Sequence, residues 1–186
     1  MPSPLPSLSA RYTGPAIAFH WLLALVIVGT FGVGLYMSDL PVSPSRLKLY
    51  SWHKWAGVTI LALSILRLLW RLGHRPPAHL PMRAWQARVV QITHGGLYAL
   101  FFAVPLAGWA YSSAAGFPVV WFGLLQLPDF VPVDKALAET LKALHGNLAW
   151  GLAIGAGLHV AGVAKHHWVD RDGFIYRMRP GRRPTA

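Results

Sequence analysis

The chain has nine histidines and no cysteine, and these bound the chemistry open to it. Without thiolates there are no disulfides and no iron–sulfur clusters, so any metal must sit on nitrogen, oxygen or Met sulfur. Two of the histidines, His145 and His159, interrupt the segment LKALHGNLAWGLAIGAGLHVAGVAKHH at 141–167. Between its charged ends this segment is apolar and glycine-rich over roughly twenty residues, the length that crosses a bilayer as a helix. The two histidines stand fourteen positions apart. At about 100° per residue they fall within roughly 40° of one helix face, separated along the axis by about 21 Å. One helix therefore presents an imidazole near each membrane surface, where an ionisable side chain marks a functional site by default.

Three other apolar segments carry a histidine near their start: His20 in AIAFHWLLALVIVGTFGVGLYM, His53 in YSWHKWAGVTILALSILRLLW and His94 in the segment that begins near residue 89. Successive spans run antiparallel, so sorting by depth gives two layers. One holds His53 and His145; the other holds His20 and His159, with His94 as a further candidate. Two layers of paired imidazoles inside a four-helix bundle are what two stacked b-type haems require, one imidazole on each face of each iron. A structural zinc site wants four ligands in one place, which these layers do not offer. Gly57, Gly95, Gly96, Gly151, Gly155 and Gly157 lie near these histidines and let backbone approach a flat macrocycle. Gly151 and Gly155 also form a GxxxG pair that serves ordinary helix packing.

The elements that hold these residues follow from composition. At 186 residues, 54% hydrophobic and 12% charged, the chain reads as a polytopic membrane protein of all-α class; with the two histidine layers, an integral four-helix bundle enclosing two b-type haems is expected. Spans are expected at about residues 16–37, 50–70, 89–111 and 141–167. A flexible leader covers 1–14, the bundle domain 15–178, and a basic tail 179–186. Pro15 suits a first helical turn and Pro105 a kink. The stretch VVWFGLLQLP, between the third and fourth spans, is too short to cross and is expected at the interface. The net charge of +11 does not indicate nucleic acid, because the basic residues sit between apolar spans. Twelve lie on the side of the termini and the second loop, against five (Arg46, Lys48, Lys54, Lys135, Lys142) on the other. The positive-inside rule then puts both termini in the cytoplasm.

The stretches FHW, WHKWAG, HGGLYALFFAVPLAGW and HGNLAWGLAIGAGLH followed by AKHHW resemble the bacterial cytochrome b561 family over nearly the whole chain. The likeness is strongest to its short stand-alone form, known as superoxide oxidase. The resemblance implies His20 with His159 on an inner haem and His53 with His145 on an outer one, as axial ligands to iron, leaving His94 as a bystander. It also implies ubiquinone as electron acceptor, with the headgroup near His166 and the segment Pro81, Met82, Arg83 opposite. His74 and His79 are expected in solvent. The five basic residues of the outer side form a mouth that would gather a small anion such as superoxide. The alternative is a passive electron-transfer subunit linking quinone to a periplasmic redox protein, for which the long third loop offers the docking surface.

Overall fold

The computed structural model describes residues 11–78 and 82–181. The first ten residues of the expected leader, the tail from residue 182, and His79 and Pro81 fall outside the described residues. Four long helices dominate: α1 (Gly14–Asp39), α2 (Pro44–Gly73), α3 (Ala84–Ala114) and α4 (Lys135–Lys165). Each is long and apolar enough to cross a membrane. Their mid-helix apolar side chains, among them Leu25, Val28, Ile92, Leu158 and Val160, point outward, as they must in a bundle solvated by lipid. The tightest packing is α3 on α4, followed by α1 on α2, with α2 on α3 joining the pairs.

The helices run past the expected apolar spans because polar caps add turns. Ser43 accepts the Arg46 N–H at 3.2 Å and Pro44 occupies the first turn, so α2 begins well before residue 50. Asp134 accepts the Leu137 N–H at 2.8 Å and starts α4 the same way. At its other end α4 passes into a π-helical turn, His166–Asp170, followed by a 3-10 turn, Phe174–Arg177.

Between α3 and α4 the stretch expected at the interface forms a small hairpin, β1 (Val120–Trp121) paired antiparallel with β2 (Leu125–Gln126). Phe122 and Gly123 take φ of 51° and 72°, the signature of a type I′ turn that matches strand twist. The hairpin is pinned to α2: Trp55 Nε1 donates to the Val120 carbonyl, and Trp121 Nε1 donates to Thr59 Oγ1 at 3.2 Å. Its tip, with Leu124 90% exposed, stands outside the bundle beside α2, where Phe122 packs on Trp55 at 5.5 Å. This is the hairpin end of the bundle.

At the opposite, terminal end the segment before α1 and the start of α1 are joined to the segment after α4. Tyr12 N–H donates to the Arg177 carbonyl at 3.2 Å and Trp21 Nε1 to the Met178 carbonyl at 2.8 Å. Trp70 Nε1 adds a bond to Thr13 Oγ1 at 2.9 Å. Residues 11–13, expected within a flexible leader, are therefore fastened to α2 and to the C-terminal segment. Arg177 is 4% exposed and donates to the Ala78 carbonyl at 2.7 Å, holding the connection between α2 and α3 as well. Arg177→Ala removes a charge-assisted bond of about 1.5–3 kcal/mol. It is expected to speed proteolytic clipping of the C-terminal segment about tenfold or more while the four helices stay resistant, as followed by timed digestion and mass spectrometry.

Candidate functional site

Two rungs of polar side chains cross the bundle. In the rung nearer the hairpin end, the rings of His53 and His145 face each other with centroids 6.0 Å apart and planes at 88°. His53 Nδ1 lies 3.2 Å from the Thr30 carbonyl on α1, and His145 Nδ1 lies 2.9 Å from the Val104 carbonyl on α3. A carbonyl oxygen only accepts, so each Nδ1 carries the proton and donates it, which leaves Nε2 with a free lone pair.

Both carbonyls already serve their own helices, and glycine is what opens them to a second donor. The residue four positions after Thr30 is Gly34, and four after Val104 is Gly108. A helical Cβ tilts toward the N-terminus, over the carbonyl one turn back. At Gly34 it would stand 3.1 Å from His53 Cε1; at Gly108 it would stand 2.9 Å from His145 Cε1 and 3.0 Å from Nδ1. By contrast, a Cβ at Gly57, Gly95, Gly96, Gly151 or Gly157 would meet no protein atom within 4 Å, and one at Gly155 would meet Leu97. The glycines in contact with the imidazoles, Gly34 and Gly108, lie on neighbouring helices and were not singled out by the sequence.

The second rung lies nearer the terminal end. His20 of α1 and His159 of α4 have ring centroids 6.1 Å apart, while His94 of α3 is 5.2 Å from His159. His94 Nδ1 donates to the Val90 carbonyl at 2.9 Å on its own helix. From α2, Arg67 Nη1 reaches to 3.5 Å from His20 Nδ1, and its Nε donates to the Tyr98 hydroxyl at 3.1 Å. The guanidinium groups of Arg67 and Arg71 each lie 5.4 Å from the Tyr98 ring centre.

Residues 11–181 match the family described as prokaryotic cytochrome b561. The chain belongs to that family. Cytochromes b561 bind b-type haem and carry electrons in the membrane. The chain is 34% identical to cytochrome b561 homolog 2 of Escherichia coli (strain K12), with 90% of each protein covered. It is 30% identical to a probable superoxide oxidase, CybB, of Yersinia pestis, over 93% of this chain and 98% of the relative. A third relative, cytochrome b561 homolog 1 of Escherichia coli (strain K12), is 26% identical over 93% of this chain and 99% of its own.

The two rungs fit the family's cofactor. Metal–imidazole bonds of about 2 Å on both faces of an iron put the ring centres roughly 6 Å apart. The His53–His145 and His20–His159 pairs, at 6.0 and 6.1 Å, have that separation, whereas His94 and His159 at 5.2 Å are too close. The free Nε2 of His53 and His145 is the donor such an iron takes.

The other candidates are more scattered. His166 opens the π-helical turn and donates from Nδ1 to Asp172 at 2.6 Å, with Asp170 at 3.3 Å and the Phe174 ring stacked at 5.0 Å. Met82 and Arg83, at the start of α3, are not among these partners; Arg83 N–H donates to Gln86 Oε1 at 3.0 Å. His74 stacks on Trp70 at 3.8 Å, and His167 packs against Trp168 at 5.9 Å. At the hairpin end Lys48, Lys135 and Lys142 are exposed, and Arg46 donates to the Tyr50 hydroxyl at 3.3 Å. Lys54 is turned to the loop instead, donating to the carbonyls of Phe117 and Pro118 at 3.2 and 3.5 Å, so it anchors the hairpin as well as adding charge.

Sequence reasoning passed over Arg67, Tyr98, Asp170 and Asp172. A signal for Arg67 was present, since it follows His53 by fourteen residues, the interval between His145 and His159. Gly108→Ala forces a methyl into His145 at an overpacking cost of about 1–3 kcal/mol. The expected result is a lower haem content per protein in the pyridine haemochrome assay, with the helical circular dichroism unchanged.

Proposed function

We propose that each histidine pair holds one b-type haem, His53 with His145 and His20 with His159. In this reading the protein takes electrons from superoxide at the hairpin end and delivers them to ubiquinone at the terminal end. The observation that carries it is the repetition of the same ring separation at two depths of one bundle. Haem held between the imidazoles of each pair would supply a one-electron carrier with no open site for oxygen. The chain's residues do the rest: the Thr30 and Val104 carbonyls orient the rings, and the bundle keeps water from them.

The charge distribution supports the direction across the membrane. Twelve basic residues on the terminal side against five on the hairpin side support an orientation with the termini in the cytoplasm and the hairpin end toward the periplasm of a bacterial inner membrane. Exposed Lys48, Lys135 and Lys142 then raise the local concentration of a small anion at the periplasmic mouth. The relative named as a probable superoxide oxidase supports the choice of anion. Two superoxide anions each lose one electron and leave as oxygen, while one quinone gains two electrons and two protons and leaves as quinol. The His166–Asp172 pair beside α4, on the cytoplasmic side, is the candidate to meet the quinone headgroup, with Met82 and Arg83 at the start of α3 as the other wall.

Purified, quinone-loaded protein mixed with superoxide is expected to show haem reduction faster than spontaneous dismutation; reduction no faster than dismutation rejects superoxide as donor. His145→Ala should halve the haem content by emptying one site, whereas His94→Ala should keep both haems. Changing Lys48, Lys135 and Lys142 together to Glu is expected to slow reduction by superoxide about tenfold or more and to reverse its ionic-strength dependence, so that salt speeds it, with reduction by a neutral donor unaltered.

A further inference from the structure

The two rungs differ in what touches the imidazoles. Around the His53–His145 rung the partners are two main-chain carbonyls, from Thr30 and Val104. Around the His20–His159 rung the partner on α2 is the Arg67 guanidinium, 3.5 Å from His20 Nδ1 and within electrostatic reach of both His20 and His159. Fourteen residues separate His53 from Arg67, so one face of α2 presents an imidazole at the first rung and a cation at the second. Tyr98 fixes the guanidinium through its hydroxyl at 3.1 Å and its ring at 5.4 Å.

These surroundings act in opposite senses on a bound metal. An imidazole that donates Nδ1–H to a carbonyl is a more basic ligand, which favours the oxidised, more positive iron. A guanidinium is always charged. Held beside the other pair inside a membrane span, it favours the state that carries one more electron, and low dielectric magnifies the effect. No carboxylate bonds to Arg67 among the described residues: Asp170 and Asp172 are engaged by Lys165 and His166. Asp39, Asp129, Asp134 and Glu139 belong to the hairpin end.

We propose that Arg67 is a positioning charge that makes the His20–His159 site the stronger electron acceptor of the two, so that electrons run from the hairpin end to the terminal end. The proposal rests on the reading that each pair holds one haem, and it adds what sets the direction.

Potentiometric titration of the purified full-length protein, followed through the haem absorption bands, tests it. Two one-electron midpoints are expected in the unaltered protein. His145→Ala should leave a single component at the higher of them. Arg67→Gln, which keeps hydrogen-bond donors but no charge, should lower the higher midpoint by about 59 mV or more, a tenfold change in electron sharing for a one-electron couple. The lower midpoint should move much less, and Arg67→Lys should restore the gap. The proposal is overturned if Arg67→Gln retains both haems with unmoved midpoints, if both midpoints fall together, or if His145→Ala leaves the lower component. Should Arg67→Gln fail to hold haem, the His145→Ala titration still decides the order of the two sites. One haem per chain in the unaltered protein would instead reject the paired-site reading, a separate failure visible in stoichiometry alone.

Discussion

An imidazole inside a bilayer has two nitrogens to satisfy and no water to do it with. The structure depends on how that constraint is met at His53 and His145. One nitrogen of each ring donates to a carbonyl of a neighbouring helix, at Thr30 and Val104, and the other is left to face across the bundle. The arrangement requires a carbonyl that already serves its own helix to accept a second donor, and a glycine one turn later is what bares it. Gly34 and Gly108 are therefore part of the site although neither could bind anything itself. Replacing either interaction would leave a polar group stranded in hydrocarbon, where the penalty reaches several kcal/mol.

The bundle meets different demands at its two ends. Between α3 and α4 an apolar hairpin is fastened along α2 by Trp55, Trp121 and Lys54, so the longest connection is ordered by contacts with the helix that carries His53. At the terminal end the chain closes on itself, with Arg177 buried and bonded to the connection after α2 while Tyr12 and Trp21 bond to the backbone beside it. The π-helical turn at His166 has a local cause: one wider turn, followed by Arg171 at φ 51°, brings Asp170 and Asp172 back onto the His166 ring. Wide turns of this kind recur where a helix must re-aim a side chain for function.

The asymmetry between the rungs has a simple origin in topology. All four helices contribute to each level. At the His53–His145 level α1 and α3 contribute carbonyls, partial negative charges that cost nothing extra in a helix. At the His20–His159 level α2 contributes a full positive charge, steadied by α3 through Tyr98. One bundle thereby holds two histidine pairs of unlike surroundings.

Much of this was legible in the residues alone. Four apolar segments of spanning length, the fourteen-residue histidine interval and the bias of basic residues depend only on periodicity and composition, so they determined the all-α membrane bundle and the two levels of histidine. What one chain segment cannot reveal is which atom on another helix meets it. That His94 stands 5.2 Å from His159, against 6.1 Å for His20, and that Gly34 and Gly108 bare carbonyls on α1 and α3 toward rings on α2 and α4, came only from the packed helices. The same holds for Arg67, a positive-inside residue by composition that tertiary packing turned toward His20. Sequence spacing sets the height of a side chain along its own helix; only the rotation and approach of neighbouring helices decide what that side chain touches.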